Sequence, residues 1–278
     1  VTLSKSLVFT IIPRFFIHLL PKLWETRHER FASSAKSKRN SFTPLFDTLM
    51  AKHWTPDQPL LHGIGNFIWC SSVALGMVFA SMHQTAAVAS WVIVVLASRR
   101  EEYLQALRDE WRSIVSVDEV TGQPHFDGDT LNKLTKLDSF IREVMRTKGD
   151  TFAPLRHARE DVQIGPYTVP SGALCVPYVH GVHMRDEAGG KNFDGFQWDN
   201  KEPAVRGSKD FISFGLGRWA CPGRHLAVNE IKVLTYLLFE RYDPFIKDNK
   251  GYVVPDPMNT TAVAPEAVLE MRRRSDWV

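Results

Sequence analysis

The sequence is poor in cysteine: Cys70, Cys175 and Cys221 are the three among 278 residues. They are too few and too scattered for a disulfide framework or a CxxC metal site, so a reducing compartment or a cytosol-facing surface is expected. A dominant charge is lacking too. Lys+Arg number 34 against 31 Asp+Glu, a formal +3 that is too mild to imply nucleic acid. Gly (17) and Pro (16) are at ordinary levels, which excludes collagen-like and low-complexity chains. No Asp, Glu, Lys or Arg occurs over residues 58–98. A secretory signal is not convincing either: Pro13, Arg14 and His18 interrupt the apolar first twenty residues, and no small-residue cleavage site follows. The first residue is Val1 and not Met, so a piece of a longer protein, or a gene model beginning inside one, is expected.

What is present suffices for a sizeable core. Hydrophobic residues make up 44% and aromatics 11%, which argues against disorder. The length allows one large domain or two small ones. Residues 7–24 read as a helical pair broken near Pro13 and Pro21. Residues 25–40 read as a solvated loop. A basic nucleic-acid arm is the sharper reading of that loop, but Glu25 and Glu29 interleave its cations and no aromatic platform follows.

The uncharged stretch predicts a helix over 60–98. About 30 helical residues would extend roughly 45 Å. Trp91-Val92-Ile93-Val94-Val95-Leu96 suits a transmembrane span, which needs about 20 apolar residues. However, Asn66, Ser71, Ser72 and Ser81 interrupt the run, and His83, Gln84 and Thr85 would then lie at mid-bilayer, where polar groups are costly. A helix through the centre of a large domain, with its polar notch facing a site, fits better. A single-span membrane protein remains the alternative.

Residues 99–115 have the spacing of a surface helix with Leu104, Leu107 and Trp111 inward. Residues 131–147 repeat it with Leu134, Leu137, Ile141, Val144 and Met145. The period then shortens. Val162, Ile164, Tyr167 and Val169, followed by Pro170-Ser171-Gly172, predict a hairpin with a Pro-Ser-Gly turn, and Leu174, Val176 and Tyr178 a further strand. Residues 189–207 are irregular. Residues 226–242 predict a helix with Ile231, Leu234 and Leu238 on one face, and 252–274 short strands. The expected class is mainly α with minor β.

One string concentrates chemistry: Phe214-Gly215-Leu216-Gly217-Arg218-Trp219-Ala220-Cys221-Pro222-Gly223-Arg224. A cysteine in a glycine-rich loop directly before a helix sits where backbone N–H groups and the helix dipole favour a thiolate. Gly217 and Gly223 would let the backbone fold closely around a flat ligand, and Phe214 would cover the sulfur. A lone cysteine in that position is more often a buried structural residue. Five specified positions at about 5% each, however, match a chain of this length by chance on the order of one time in ten thousand.

The string resembles the haem-thiolate signature of the cytochrome P450 family, in its fungal form. Residues 136–146 are similar to that family's ExxR helix, placing Glu143 and Arg146 at i and i+3, where they can pair. Arg156 resembles the strand arginine that clamps a haem propionate. Residues 167–172 resemble the G-x-x-I-P-x-G turn, and His183–Asp186 the H-x-x-D that follows. The resemblance implies a cytochrome P450 fold over 1–278 as a single domain truncated at its N-terminus. In it, 60–98 is the long central distal helix and 211–242 the cysteine loop with its following helix. The chain would correspond to the C-terminal half to three-fifths of a family member, without the anchor or the early helices.

By the same resemblance, Cys221 is the axial ligand of haem b iron, donating electron density that favours O–O cleavage. Phe214, Gly217 and Gly223 shape its loop, and Arg156, Arg218 and Trp219 serve the propionates. His83, Gln84 and Thr85 occupy the distal notch that passes protons to oxygen. The reaction implied is monooxygenation of a lipophilic small molecule of secondary-metabolite or xenobiotic type. NADPH electrons would arrive through a cytochrome P450 reductase, at the cytosolic face of the endoplasmic reticulum membrane. Arg224 is expected on the basic face the reductase meets.

Three positions depart from the family's pattern. Gln84 stands where a threonine is usual, Trp219 where an arginine or histidine commonly meets a propionate, and Gln197 where an arginine completes the Glu–Arg triad. They favour the second reading, a truncated and catalytically inactive P450-like protein.

Overall fold

A computed structural model describes residues 20–27, 45–53, 59–148, 155–249, 251–253 and 264–274. Residues 7–19 of the helical pair expected over 7–24, and residues 28–40 of the loop expected over 25–40, lie outside them. Chain contacts divide the protein into two compact units, Val1–Ala80 and Ser81–Val278. The first holds α1 (Leu20–Glu25), α2 (Leu45–His53) and the start of α3 (Leu60–Ser98). Met50, Phe67 and Cys70 are buried there, with Trp24, Phe46 and Leu49 packed against them. Trp24 and Phe46 meet Phe67 edge-on, with ring centroids 5.0 and 5.9 Å apart.

Helix α3 has the bounds its uncharged sequence predicts, and its two halves differ. Ile64, Ile68 and Met77 of the first half, with Phe79 and Met82 at and just past the middle, are exposed, whereas Trp91, Val92, Val95 and Leu96 near the end are buried. The helix is long and apolar enough to cross a membrane by length and composition. Yet the run that best suits a span, 91–96, lies mostly in the core of the second unit.

That core gathers the end of α3, α4 (Arg100–Ile114), α6 (Thr135–Lys148) and α8 (Arg224–Phe239). Leu107, Trp111, Leu137, Phe140, Ile141, Val144 and Phe239 have no exposed surface. Each such side chain stabilises by about 1.5–3 kcal/mol through burial. Leu104, Leu107 and Trp111 of α4 point inward as their spacing predicts. The helix expected over 131–147 is two: α5 (Gly128–Lys133) and α6, separated at Leu134 (φ −74°, ψ 70°). Asp127 caps α5 by accepting from the Thr130 N–H at 2.7 Å. The cap of α6 comes from α4, where Glu110 accepts the N–H groups of Lys136 (2.6 Å) and Leu137 (3.0 Å). Burial pushes the Glu110 carboxyl above its ordinary value, and those N–H groups oppose the shift.

Two further side chains, Arg108 and Lys232, tie α8 and the strand after it to the helices around them. Arg108 of α4 donates to the Phe239 carbonyl at 2.8 and 3.0 Å and pairs with Asp243 at 2.6 Å. Lys232 of α8 pairs with Asp138 of α6 at 2.6 Å. The α8 face differs from the expected one: Val228, Ile231, Lys232, Thr235, Tyr236 and Phe239 are buried, and Leu234 is exposed. Lys232 ranks above Leu234 because its ammonium finds Asp138 and the Leu131 carbonyl (2.8 Å) inside.

Among the described residues the β part comprises three two-stranded antiparallel sheets. β1 (Arg156–His157) pairs with β4 (Leu174–Cys175), β2 (Val162–Ile164) with β3 (Tyr167–Val169), and β5 (Tyr242–Ile246) with β6 (Leu269–Arg273). The β2–β3 hairpin turns at Gly165-Pro166, with Gly165 at φ +57°, and not at Pro170-Ser171-Gly172. The latter turn leads into β4, which ends at Cys175, short of the Tyr178 expected. A left-handed glycine two residues before Tyr167 was the stronger turn signal. Between β4 and α8 lie α7 (Val179–His183) and a long irregular segment. Gly195 anchors that segment: a Cβ there would stand 2.6 Å from the Phe140 ring, and its N–H donates to the Tyr103 hydroxyl at 3.2 Å. That close approach brings residues 193–198 against α6.

Candidate functional site

Glu143 and Arg146 lie one turn apart on α6, both with fully buried side chains. Their fork is bidentate, Nε to Oε2 at 2.8 Å and Nη2 to Oε1 at 2.6 Å. Arg146 gives its remaining N–H groups to the carbonyls of His183 (2.8 Å), Gly190 (2.7 Å) and Asn192 (2.8 Å), so all five donors are satisfied. Glu143 also accepts from Gln197 Nε2 (2.7 Å), Trp198 Nε1 (3.0 Å) and the Asp194 N–H (3.2 Å). A buried pair is tolerable only with such additional hydrogen bonds. Gln197 donates to Glu143 without adding charge, so the cluster stays neutral.

Arg142, one position before Glu143, is buried as well. It donates to the Pro203 (2.9 Å) and Arg206 (2.7 Å) carbonyls, and its guanidinium lies 3.9 Å from the Phe211 ring centroid and 4.8 Å from that of Trp198. Burial lowers its pKa to about 10, still charged at neutral pH. The sequence reading missed Arg142, because nothing in its spacing separates it from a surface arginine; Trp198 directly after Gln197 was the available signal.

His183, at the end of α7, connects this cluster to the cysteine segment. Its ring is buried and stacks on Phe211 (5.3 Å, 17°), and Nε2 accepts the Ile212 N–H at 2.9 Å. Burial lowers its pKa to about 4, with Arg146, His180 and Arg142 adding to the effect. The ring is therefore neutral near pH 7.

Beyond Ile212 the chain forms the cysteine loop. Gly215 donates to the Ile212 carbonyl at 2.9 Å, and Cys221 donates its N–H to the Phe214 carbonyl at 2.7 Å. Gly215 and Gly217 take φ +71° and +61°, a region that favours glycine, and Gly217–Trp219 form a 3-10 turn. Phe214 is half-buried against the core. Cys221 carries a free, partly exposed thiol two residues before Gly223, which precedes α8 directly. Exposure rises outward: Leu216 is 50% exposed, Leu226 58% and Trp219 72%. The Arg218 guanidinium lies 5.4 Å from the Trp219 ring centroid. Arg224, half-exposed at the start of α8, folds back to donate to the Cys221 carbonyl at 2.8 Å.

The other expected site residues lie on separate elements. Arg156 is exposed on β1, with one hydrogen bond to the Leu155 carbonyl at 3.1 Å. His83, Gln84 and Thr85 are half-buried on successive positions of α3, so they face directions about 100° apart. Among the described residues no three His, Cys, Asp or Glu side chains gather into a metal-binding group. A metal at Cys221 would therefore have one protein ligand. A free thiol, tight glycine backbone, open space where a Gly217 Cβ would point, and exposed apolar side chains fit a flat apolar group better than a caged ion.

Comparisons with known proteins agree. A family model for cytochrome P450 matches residues 69–268. Cytochrome P450 monooxygenase 3 of Gibberella fujikuroi is 30% identical over 222 residues, covering 70% of this chain and 42% of its own length. The ausG cytochrome P450 monooxygenase of Emericella nidulans is 27% identical over 94% of this chain and 48% of its own. An ent-kaurene oxidase of Gibberella fujikuroi is 29% identical over 70% of this chain and 41% of its own. The chain thus spans less than half the length of these relatives. In fold, the retinoic acid-bound cyanobacterial CYP120A1 superposes with a TM-score of 0.64 at 17% identity, covering 92% of this chain and 55% of its own. With its mainly α architecture, buried Glu143–Arg146 pair and cysteine loop, the chain belongs to the cytochrome P450 family.

Proposed function

We propose that this chain is the haem-binding portion of a monooxygenase that inserts one oxygen atom from O2 into a lipophilic small molecule of secondary-metabolite type. The observation that carries the reading is Cys221: a free, partly exposed thiol held in a positive-φ glycine loop at the start of α8. When bound, haem b supplies the oxygen activation that no side chain can. The protein's own residues position and tune. Cys221 would hold the haem through its sulfur, Phe214 would screen that sulfur from water, and Gly217 and Gly223 would let the backbone approach the group closely. Arg156 and Arg218 supply charge to propionates, with the Trp219 N–H as a neutral donor. His83, Gln84 and Thr85 would hold or pass protons. Glu143, Arg146 and Gln197 hold the fold and do no chemistry.

Electrons come from NADPH through a cytochrome P450 reductase. The ent-kaurene oxidase among the relatives supports a terpenoid-like substrate. The exposed apolar first half of α3 supports association with the endoplasmic reticulum membrane. A second reading, a P450-like protein without catalysis, is favoured by Gln84 at the distal notch and Trp219 in the loop.

The test is reconstitution of this chain with haem, NADPH and a fungal reductase under isotopically labelled O2, with a panel of terpenoid-like hydrophobes. The reading predicts a product carrying one labelled oxygen, dependent on reductase. Haem binding with no labelled product from any substrate would favour the second reading.

A further inference from the structure

We propose that His183 is the positioning residue that transmits the order of the buried Glu143–Arg146 cluster to the cysteine loop, and that it does so only as the neutral Nδ1–H tautomer. The inference needs the fold alone and not the proposed activity.

The geometry forms a continuous chain of bonds. The main-chain carbonyl of His183 accepts from Arg146 Nη1 at 2.8 Å, which fixes the backbone of α7 to α6. Its ring, on the other side, accepts the Ile212 N–H at Nε2 (2.9 Å). Ile212 in turn accepts from Gly215, and Phe214 accepts from Cys221. Phe211 is held from both sides, by the stacked His183 ring and by the Arg142 guanidinium 3.9 Å from its centroid. One residue thus touches the saturated cluster through its backbone and the loop's root through its side chain.

The tautomer follows from the acceptor role. Nε2 presents a lone pair to the Ile212 N–H, so in the neutral ring the proton sits on Nδ1. Nδ1 is buried and has no hydrogen-bond partner. A second proton on Nε2 would set donor against donor at Ile212. The groups facing the ring oppose it further: Arg142 and Arg146 from α6 and His180 from its own helix, with the Glu143 carboxylate already paired to Arg146. The segment 208–212 contributes an aromatic ring and an N–H there. Protonation would therefore release Ile212, and with it the root of the loop that carries Cys221.

Amide hydrogen exchange on the full chain tests this, comparing peptides over 207–224 with those over 100–114, after correction for intrinsic pH effects. His183→Phe keeps a stacking ring but removes the acceptor; His183→Gln can place its amide oxygen where Nε2 lies. The expected results are exchange over 207–224 on the order of tenfold faster in His183→Phe, little change over 100–114, and substantial recovery in His183→Gln. Uniform acceleration, or no rescue by glutamine, would overturn the proposal in favour of a packing role. Should His183→Phe fail to fold, the wild-type pH series decides. Selective acceleration of 207–224 on lowering pH from about 7 to about 5 supports the coupling, and parallel behaviour of both regions contradicts it.

Discussion

The Glu143–Arg146 cluster and the Cys221 loop lie in the same compact unit and are linked by His183, yet they are built in opposite ways. In the cluster both side chains are fully buried, and each guanidinium donor has an acceptor. In the loop the thiol is free, Trp219 is 72% exposed, and Arg218 has no carboxylate partner among the described residues. A cluster complete within the protein serves the fold. A loop whose backbone is fixed while its side chains remain available is suited to hold something else.

The sharpest way to break that comparison is Arg146→Ala. It leaves the Glu143 carboxylate buried beside neutral donors only and strips three carbonyls of a partner, for an expected cost of about 3–5 kcal/mol. Urea unfolding would show this as a large fall in midpoint or as loss of soluble protein. Cys221→Ser, in contrast, should stay within about 0.5 kcal/mol of wild type, because the thiol makes no buried contact network. Equal losses in the two variants would dissolve the distinction.

Acid probes the link between the regions. The folded pKa of His183, about 4, lies below the ordinary histidine value near 6.5. The unfolded chain thus binds the proton first. The His183 contribution is complete above about pH 6.5 and falls as pH drops toward 4, by about 3 kcal/mol at pH 4. Glu110 acts in the opposite sense, since its raised pKa favours the folded state at lower pH. The slope difference between wild type and His183→Phe in pH-dependent unfolding isolates the histidine.

Smaller effects refine the picture. Gln197→Ala removes one donor from Glu143 and should cost about 1–2 kcal/mol, well below Arg146→Ala, because the arginine fork remains. Gly217→Ala meets no atom within 4 Å but must adopt φ +61°. A cost of about 1 kcal/mol in thermal unfolding would mark pure backbone strain.

Much of this was legible in the sequence because it is local. The absence of charge over 58–98 marked α3 to its ends, and i, i+3 spacing placed Glu143 beside Arg146. What escaped was set by distant partners. Lys232 is buried because Asp138 and the Leu131 carbonyl await it, which no periodicity within α8 reveals. The hairpin turned at Gly165 where a more prominent Pro-Ser-Gly stood five residues later. His183 was visible only as the first residue of an H-x-x-D resemblance. Its contacts with Phe211 and Ile212 lie 28 and 29 positions away, across an irregular segment whose path the sequence does not specify.

The reduced carbon monoxide difference spectrum of haem-loaded wild type beside Cys221→Ser, both shown to unfold at the same midpoint, addresses the central claim most directly. The account predicts the red-shifted thiolate-type Soret band in wild type and its loss in Cys221→Ser, with the fold unchanged. The same band in both proteins, or in neither, would contradict the assignment of Cys221 as the ligand around which this loop is built.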